Sequence, residues 1–426
     1  MPCATLSRLA QRRSVPALCH CARYRVLAAC FVVRRDNKRT GRFLAGADTR
    51  AFILAAGRNR NVDDLRFARY CRCEHAVRQD SGHARRRHRR TRQYKKHYFS
   101  SAERIYKGAY SIGDGGKSLN TGKKIQQFVN VPGTRLNYPE TVIFGAHDGK
   151  CVTVSAGVHC REYVGIQAVI ELARTIDPKD IYGELHLVHA FNYDGLICRC
   201  SDVFPSDGKN LNRVFPGSTC GTDAEKLAAF LEETVIRHSD CIVDLHSGGG
   251  YEYLTPHVYL HGAAAPEVCA QSQELAMHVG VPYAVRSQAK NGFYSHAGTC
   301  GVPAVLIERG CCGLWSEDES SRDIEDVKNI LRFLGVLRDG IPSARKNLRI
   351  FDRGEYLDAP VSGCWYPAKA VGERIKAGES LGRICDIFGE LLHEEFAKHD
   401  GVILYQTASL GIEKDCPMVA YAIEER

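Results

Sequence analysis

The chain has 426 residues, of which 44% are hydrophobic and 25% charged, enough for a sizeable core and more than one typical domain holds. Its net charge of +9 would suit a polyanionic partner, yet residues 1–100 carry 25 Lys and Arg against 6 Asp and Glu, while the remaining 326 carry 33 against 43. Most of the chain is therefore acidic, so nucleic-acid binding by it is not expected, and no run approaches the roughly 20 apolar residues of a membrane span.

The N-terminal segment, residues 1–97, is rich in Arg and Cys and contains Arg85-Arg86-Arg87-His88-Arg89-Arg90, with no sustained period of 2 or 3.6. It is not expected to pack into a core. Three readings compete: a targeting or nucleic-acid-binding arm, a disordered tail, and translation of DNA upstream of the true start. An abrupt change of composition near Tyr98, with no Met between Met1 and Met277, favours the third. The apolar stretch Val26 to Val33 lies too deep, and too close to charge, for a secretory signal.

The 19 cysteines follow no disulfide-framework spacing. Cys151, Cys241 and Cys385 sit in apolar runs, where a reduced thiol acts as a small hydrophobe. Cys71-x-Cys73, Cys198-x-Cys200 and Cys311-Cys312 lack partner pairs at zinc-site spacing and read as free thiols. A reducing, cytoplasmic location is expected.

From about Ile112 short β-branched runs (Val152 to Val154, Leu185 to Phe191, Cys241 to Asp244, Val302 to Ile307) alternate with helix-period segments. Ile166, Val169, Ile170, Ala173 and Ile176 predict one helical face that ends before Asp177-Pro178. Thr222 and Glu225 predict a capping box for a second helix through Ala228, Leu231 and Val235. The expected fold over residues 98–345 is α/β, with a mostly parallel or mixed central sheet flanked by helices. Past Lys346, Gly turns at Ser362-Gly363, Val371-Gly372, Ala377-Gly378 and Leu381-Gly382 predict a small all-β domain over residues 346–426.

The chemistry-bearing residues lie just beyond predicted strand ends, where open α/β sheets form ligand crevices. They are His159 and Glu162 after Val154, His246 after Val243, and Glu308 after Ile307. His159 and Glu162 can point the same way from a turn, and His246 can close the triangle from a neighbouring strand. Two imidazoles and a carboxylate suit a zinc ion with a fourth position open to water, whose pKa falls from about 15.7 toward about 7 on binding. Glu308 is placed to take that water's proton and pass it to a leaving amine. The loop from Pro205 to Gly217 carries Asn212 and Arg213, and a guanidinium beside an amide suits a substrate carboxylate. His257, His261 and His296 read as satisfied histidines outside this set.

The stretches Gly–Val–His–Cys–Arg–Glu–Tyr, Asn–Leu–Asn–Arg–Val–Phe–Pro–Gly, Asp–Leu–His–Ser–Gly–Gly and Ile–Glu–Arg–Gly, in this order, resemble the succinylglutamate desuccinylase/aspartoacylase family of the zinc carboxypeptidase superfamily. The resemblance covers about residues 110–426. It implies one zinc per chain held by His159, Glu162 and His246, with Glu308 as general base and Asn212 and Arg213 binding substrate carboxylate. It further implies that Arg199 polarises the scissile carbonyl and that the C-terminal β-domain caps the active-site mouth. Arg161 stands where desuccinylases usually carry Asn, as in true carboxypeptidases, where the Arg helps bind substrate. No Arg lies in Ser295-His296-Ala297-Gly298-Thr299, where aspartoacylase carries a substrate-binding one. The expected activity is hydrolysis of the amide of a small N-acyl amino acid or related amine, with a carboxypeptidase on short peptides as the alternative. Oligomerisation is left open.

Overall fold

The computed structural model describes residues 121–200 and 202–425; the segment 1–97, with its Arg cluster and Cys71-x-Cys73, lies outside the described residues. The first ten strands are β1 (Lys123–Asn130), β2 (Asn137–Phe144), β3 (His147–Ala156), β4 (Tyr182–Val188), β5 (Cys241–His246), β6 (Glu252–Leu254), β7 (His257–His261), β8 (Tyr283–Ser287), β9 (Ala304–Glu308) and β10 (Arg349–Phe351). Nine of them form one sheet in the order β1-β2-β4-β3-β5-β9-β7-β8-β10.

The centre of this sheet, β4-β3-β5-β9, is parallel. Antiparallel β1 and β2 extend one side, and β7 runs antiparallel to β9 on the other. The sheet is therefore mixed with a parallel core.

Among the described residues six helices cover it: α1 (Tyr163–Thr175), α2 (Tyr193–Cys198), α3 (Asp223–Thr234), α4 (Pro266–Ala276), α5 (Phe293–Thr299) and α6 (Glu317–Phe333). Strand alternation sends Val243 and Leu245 to one face, against Val169 and Leu172 of α1 and Ile330 of α6. Ile242 faces the other way, against Leu231 of α3 and Phe293 of α5. A central strand buried on both faces explains the continuous apolar run at Cys241 to Val243, and each such side chain contributes about 1.5–3 kcal/mol of burial.

Helix α1 ends at Thr175, before Asp177-Pro178, as its sequence predicts. Its buried arc is rotated from the predicted face. Val164, Ala168 and Leu172 join Ile166, Val169 and Ala173 inside, while Ile170 is 42% exposed. The predicted stripe marked only one edge of the arc, because a helix packed under a sheet and beside α6 buries more than a narrow stripe. At α3 the Glu225 carboxylate accepts the Thr222 N–H at 2.8 Å, the backbone half of the predicted box.

The remaining strands are β11 (Gly354–Asp358), β12 (Gly363–Pro367), β13 (Arg374–Ile375), β14 (Ser380–Cys385), β15 (Leu391–Phe396), β16 (Gly401–Thr407), β17 (Gly411–Ile412) and β18 (Pro417–Ile423). They form two further sheets, β11-β18-β16-β13 and β15-β14-β12-β17, around Trp365, Ile384, Ile403 and Tyr421. The C-terminal region is thus all-β. Gly372 and Gly378 turn with φ of 79° and 85°, but Gly363 and Gly382 lie inside β12 and β14. Gly382 is required by close approach, since a Cβ there would stand 2.4 Å from the Trp365 ring.

The two β systems trade strands. β10 completes the large sheet beside β8, so that sheet runs past residue 346. β6, from the middle of the chain, pairs with β16. Among the described residues no helix is long and apolar enough to cross a membrane.

Helix α1 lies close over β5 because residue 165 is Gly; an added Cβ would stand 2.6 Å from Leu245 Cβ. Gly165→Ala must push the helix outward or distort the strand, and is expected to cost about 1–3 kcal/mol. Urea unfolding should show a lowered midpoint. An unchanged midpoint would show that the contact yields freely.

Candidate active site

The parallel register sets the site. Ala156 of β3 pairs with Leu245 of β5, and His246 of β5 pairs with Glu308 of β9. Three neighbouring strands therefore end at one level, and their next residues share one crevice. Beyond β3 the chain turns at Gly157, which has φ of 62° and would clash with Ala190 if it carried a Cβ. That turn delivers His159, and Glu162 follows as the residue preceding α1.

His159, Glu162 and His246 converge. Glu162 Oε1 lies 2.6 Å from His159 Nδ1, and Oε2 lies 2.8 Å from His246 Nδ1. The two rings meet edge to face with centroids 5.0 Å apart. Oε2 also accepts the Ser247 N–H at 3.1 Å. All three side chains are mostly buried, and these N and O atoms form a group able to hold a metal ion.

Each imidazole is held from behind. His246 Nε2 lies 3.1 Å from Asp244 Oδ2, and Asp244 Oδ1 accepts the Ser155 hydroxyl at 2.7 Å. His159 Nε2 lies 3.2 Å from Asn210 Oδ1. With the far nitrogens engaged, both Nδ1 atoms are aimed inward, the arrangement that orients metal-binding histidines.

The crevice is strongly acidic. Burial pushes the Glu308 carboxyl well above the usual carboxylate range, and the nearby Glu162 charge adds to it. Burial also raises Glu252, again with Glu162 adding, and raises Asp202 despite the opposing pull of His159. For Glu162 burial acts in the same sense, but the two imidazoles outweigh it and hold the carboxyl down at about 2. Asp202 Oδ1 is buried without a hydrogen-bond partner among the described residues.

The other predicted residues lie around this centre with unequal intimacy. Arg161 Nε donates to Cys200 O at 2.8 Å, and its Nη1 lies over Gly250. Asn212 is buried, and its Oδ1 accepts the Phe293 N–H at 2.9 Å, which commits that oxygen to the start of α5. Arg213 is exposed, with Nη1 donating to Asn212 O at 2.9 Å. Arg199 caps the carboxyl end of α2 in the left-handed region and is exposed; its guanidinium makes no contact with the cluster among the described residues. His257 is buried with Nδ1 2.8 Å from Thr255 O, His261 Nε2 accepts the Ala304 N–H, and His296 pairs with Glu232.

Residue patterns alone missed Asp244, Asn210, Asp202 and Glu252. Asp244 had a readable signal, because two-residue alternation puts it on the same face of β5 as His246. The others sit on loops or at a strand start with no period to read. Two tyrosines were also missed: Tyr356 of β11 donates to the Tyr259 hydroxyl at 3.1 Å, and both lie in the electrostatic environment of Glu308. Cys160 Sγ stands 3.9 Å from Cys200 Sγ, and no disulfide joins the described cysteines.

A helix-covered mixed sheet with an acidic crevice and a His–Glu–His cluster at its carboxyl edge defines an α/β protein with a candidate metal centre. Residues 148–334 match the model of the succinylglutamate desuccinylase/aspartoacylase catalytic domain. The chain is 26% identical over 295 residues to the N-alpha-acetyl-L-2,4-diaminobutyric acid deacetylase of Halomonas elongata, covering 65% of this chain and 84% of that protein. Among solved structures it is similar to a succinylglutamate desuccinylase/aspartoacylase from Rhodobacter sphaeroides, at 26% identity and a TM-score of 0.62, covering 70% of this chain and 96% of the other. The ectoine utilization protein EutE (DoeB) of Ruegeria pomeroyi shares the fold, with a TM-score of 0.65 at 24% identity over 71% of this chain and 95% of the other.

Immediately after Glu308, Arg309 turns away from the crevice. Its Nε donates to Asp323 Oδ1 at 2.8 Å, and Nη2 pairs with Asp326, so α6 is pinned to the end of β9. Arg309 and Asp323 are almost wholly buried. Burial pushes the Asp323 carboxyl up to about 7, although Arg309 pulls it down. Arg309→Met leaves two buried carboxylates without their cation and is expected to cost about 3–5 kcal/mol. Without Arg309 the Asp323 carboxyl rises further, so the variant takes up a proton at higher pH than the parent and the deficit should narrow as the pH falls toward about 7. Urea titrations of both proteins at several pH values measure this; a deficit that widens in acid would contradict it.

Proposed function

We propose that this protein is a metal-dependent amidohydrolase that removes a small acyl group from an N-acyl amino acid or related amine. The observation that carries the reading is the Glu162 carboxylate set between two imidazoles from distant segments, with Glu308 in register beside His246. The residues fit a zinc ion. Two imidazole nitrogens and a carboxylate oxygen are a catalytic zinc donor set, and the surplus of buried carboxylates at Glu252, Asp202 and Glu308 is what a divalent cation would offset.

A divalent ion bound by His159, Glu162 and His246 supplies Lewis acidity toward an amide carbonyl and lowers the pKa of water. Asp244 and Asn210 keep both imidazoles aimed at the centre. Glu308 takes the proton of the attacking water and returns it to the departing amine. Arg213 and the amide of Asn212 bind the substrate carboxylate, fixing its approach. Arg161 lines the same crevice from the side of Gly250. For Arg199 to reach the scissile carbonyl, its guanidinium would have to swing inward from the exposed end of α2.

Substrate size follows from the C-terminal β region acting as a cap. Tyr356 reaches Tyr259 beside Glu308, and Tyr405 of β16 lies in the electrostatic environment of Glu252 and Arg213. Such a cap favours a small acyl amino acid over a peptide. Asp202 and Glu252 suit an additional ammonium group, so N-alpha-acetyl-2,4-diaminobutyrate, the substrate in the Halomonas relative's name, is the first compound to test. Arg161 favours the second reading, a carboxypeptidase on short peptides.

Parallel assays of the zinc-loaded full chain on N-acetyl and N-succinyl amino acids, acetylated diamino acids and dipeptides separate the two. Hydrolysis of the acyl amino acids is expected; exclusive cleavage of dipeptides would overturn the choice. Glu308→Gln should retain bound zinc while turnover falls about 10²- to 10⁴-fold. Metal content and turnover are measured on the same sample, and full turnover in the variant would remove Glu308 from the mechanism.

A further inference from the structure

Away from the crevice, one face of the central sheet carries a compact group of polar side chains contributed by three adjacent strands. Cys151 on β3 pairs in register with Glu184 on β4, and His186 lies two residues along on the same face of β4. From β2, Glu140 reaches the same ring, with Oε1 2.9 Å from His186 Nδ1. His186 and Glu140 are 5% and 1% exposed, yet Cys151, expected as a core hydrophobe, is only partly buried. The proposed mechanism uses none of these residues.

We propose that Cys151, Glu184 and His186 form a second divalent-metal site, containing a thiolate and suited to a borderline-soft ion such as zinc. One ligand atom from each residue lies within 4.8 Å of the others. His186 Nε2 and Glu184 Oε2 are 3.6 Å apart, long for a hydrogen bond but close to the roughly 3.4 Å edge that tetrahedral zinc–nitrogen and zinc–oxygen bonds span. Glu140 supplies what metal-binding histidines usually have, a carboxylate on the far ring nitrogen that fixes the tautomer and the ring plane. A buried His–Glu ion pair would need Glu140 alone; it does not require a thiol and a second carboxylate on the opposite side of the ring. Entry is open, because the Glu184 side chain is 28% exposed at the rim. With three protein ligands the fourth position falls to water. The ion would tie β3 to β4 about 16 Å along β3 from Ala156, at the strand that feeds the catalytic turn.

This inference does not depend on the catalytic reading, and its test separates the two sites. The reduced full chain, stripped of metal, is titrated with Co2+ and followed in the near ultraviolet, where thiolate-to-cobalt charge transfer absorbs. The His159–Glu162–His246 donor set contains no thiolate and gives no such band. The expected result is a band that saturates with Co2+, is displaced by Zn2+, persists in Glu162→Gln and is lost in Cys151→Ser. In Glu184→Gln, which keeps the thiol and the ring, the apparent affinity should fall at least about tenfold. No band, a band undiminished in Cys151→Ser, or an unchanged affinity in Glu184→Gln would each overturn the proposal.

Discussion

Glu162 places one carboxylate oxygen against each of two imidazoles that lie 87 positions apart in the chain, and the site's architecture serves that contact. It requires β3 and β5 to be parallel neighbours in register, and it requires α1 to lie close on β5. Gly157 makes the turn, and Gly165 permits the approach. A larger residue at either place would move Glu162 relative to His246 without touching either side chain. Strand register adds Glu308 at the same level with no extra structure, because His246 and Glu308 are partners across the ladder.

A crevice so rich in buried carboxylates is costly unless a positive charge sits within it. Asp244 and Ser155 illustrate how the fold manages this cost. A wholly buried aspartate is tolerated because one oxygen receives a hydroxyl and the other meets an imidazole. Arg309 shows the same economy one residue beyond Glu308, where a buried guanidinium satisfies two helix carboxylates and holds the strand end in place. The crevice is further shaped by the exchange of β6 into the C-terminal sheet. That pairing carries Glu252, the loop after His246 and Tyr405 as one connected piece.

Much of this was legible in the sequence because strand ends are. Apolar runs located β3, β5 and β9, and the residues at or just after the end of each run, His159, Glu162, His246 and Glu308, are the ones that meet at the crevice. Legibility failed where position depends on packing rather than period. The buried arc of α1 took in Val164 and Leu172 and left Ile170 in solvent, since the sheet and α6 together cover more than a narrow stripe. Gly363 and Gly382 looked like turns but lie in strands, because a close neighbour such as the Trp365 ring excludes a side chain without any change of chain direction. Loop residues fared worst. Asp202 and Asn210 enter the site through a connection that has no repeat to read, and Arg199 ends on an exposed helix cap that its neighbours in sequence did not betray.

Zinc anomalous scattering from a crystal of the zinc-loaded full chain tests the account at its centre. The prediction is a peak about 2.0–2.2 Å from one nitrogen each of His159 and His246 and from a Glu162 oxygen, with Glu308 facing the remaining coordination position. A crystal in which those three side chains bind no ion, or in which the ion there is held by other residues, would contradict it.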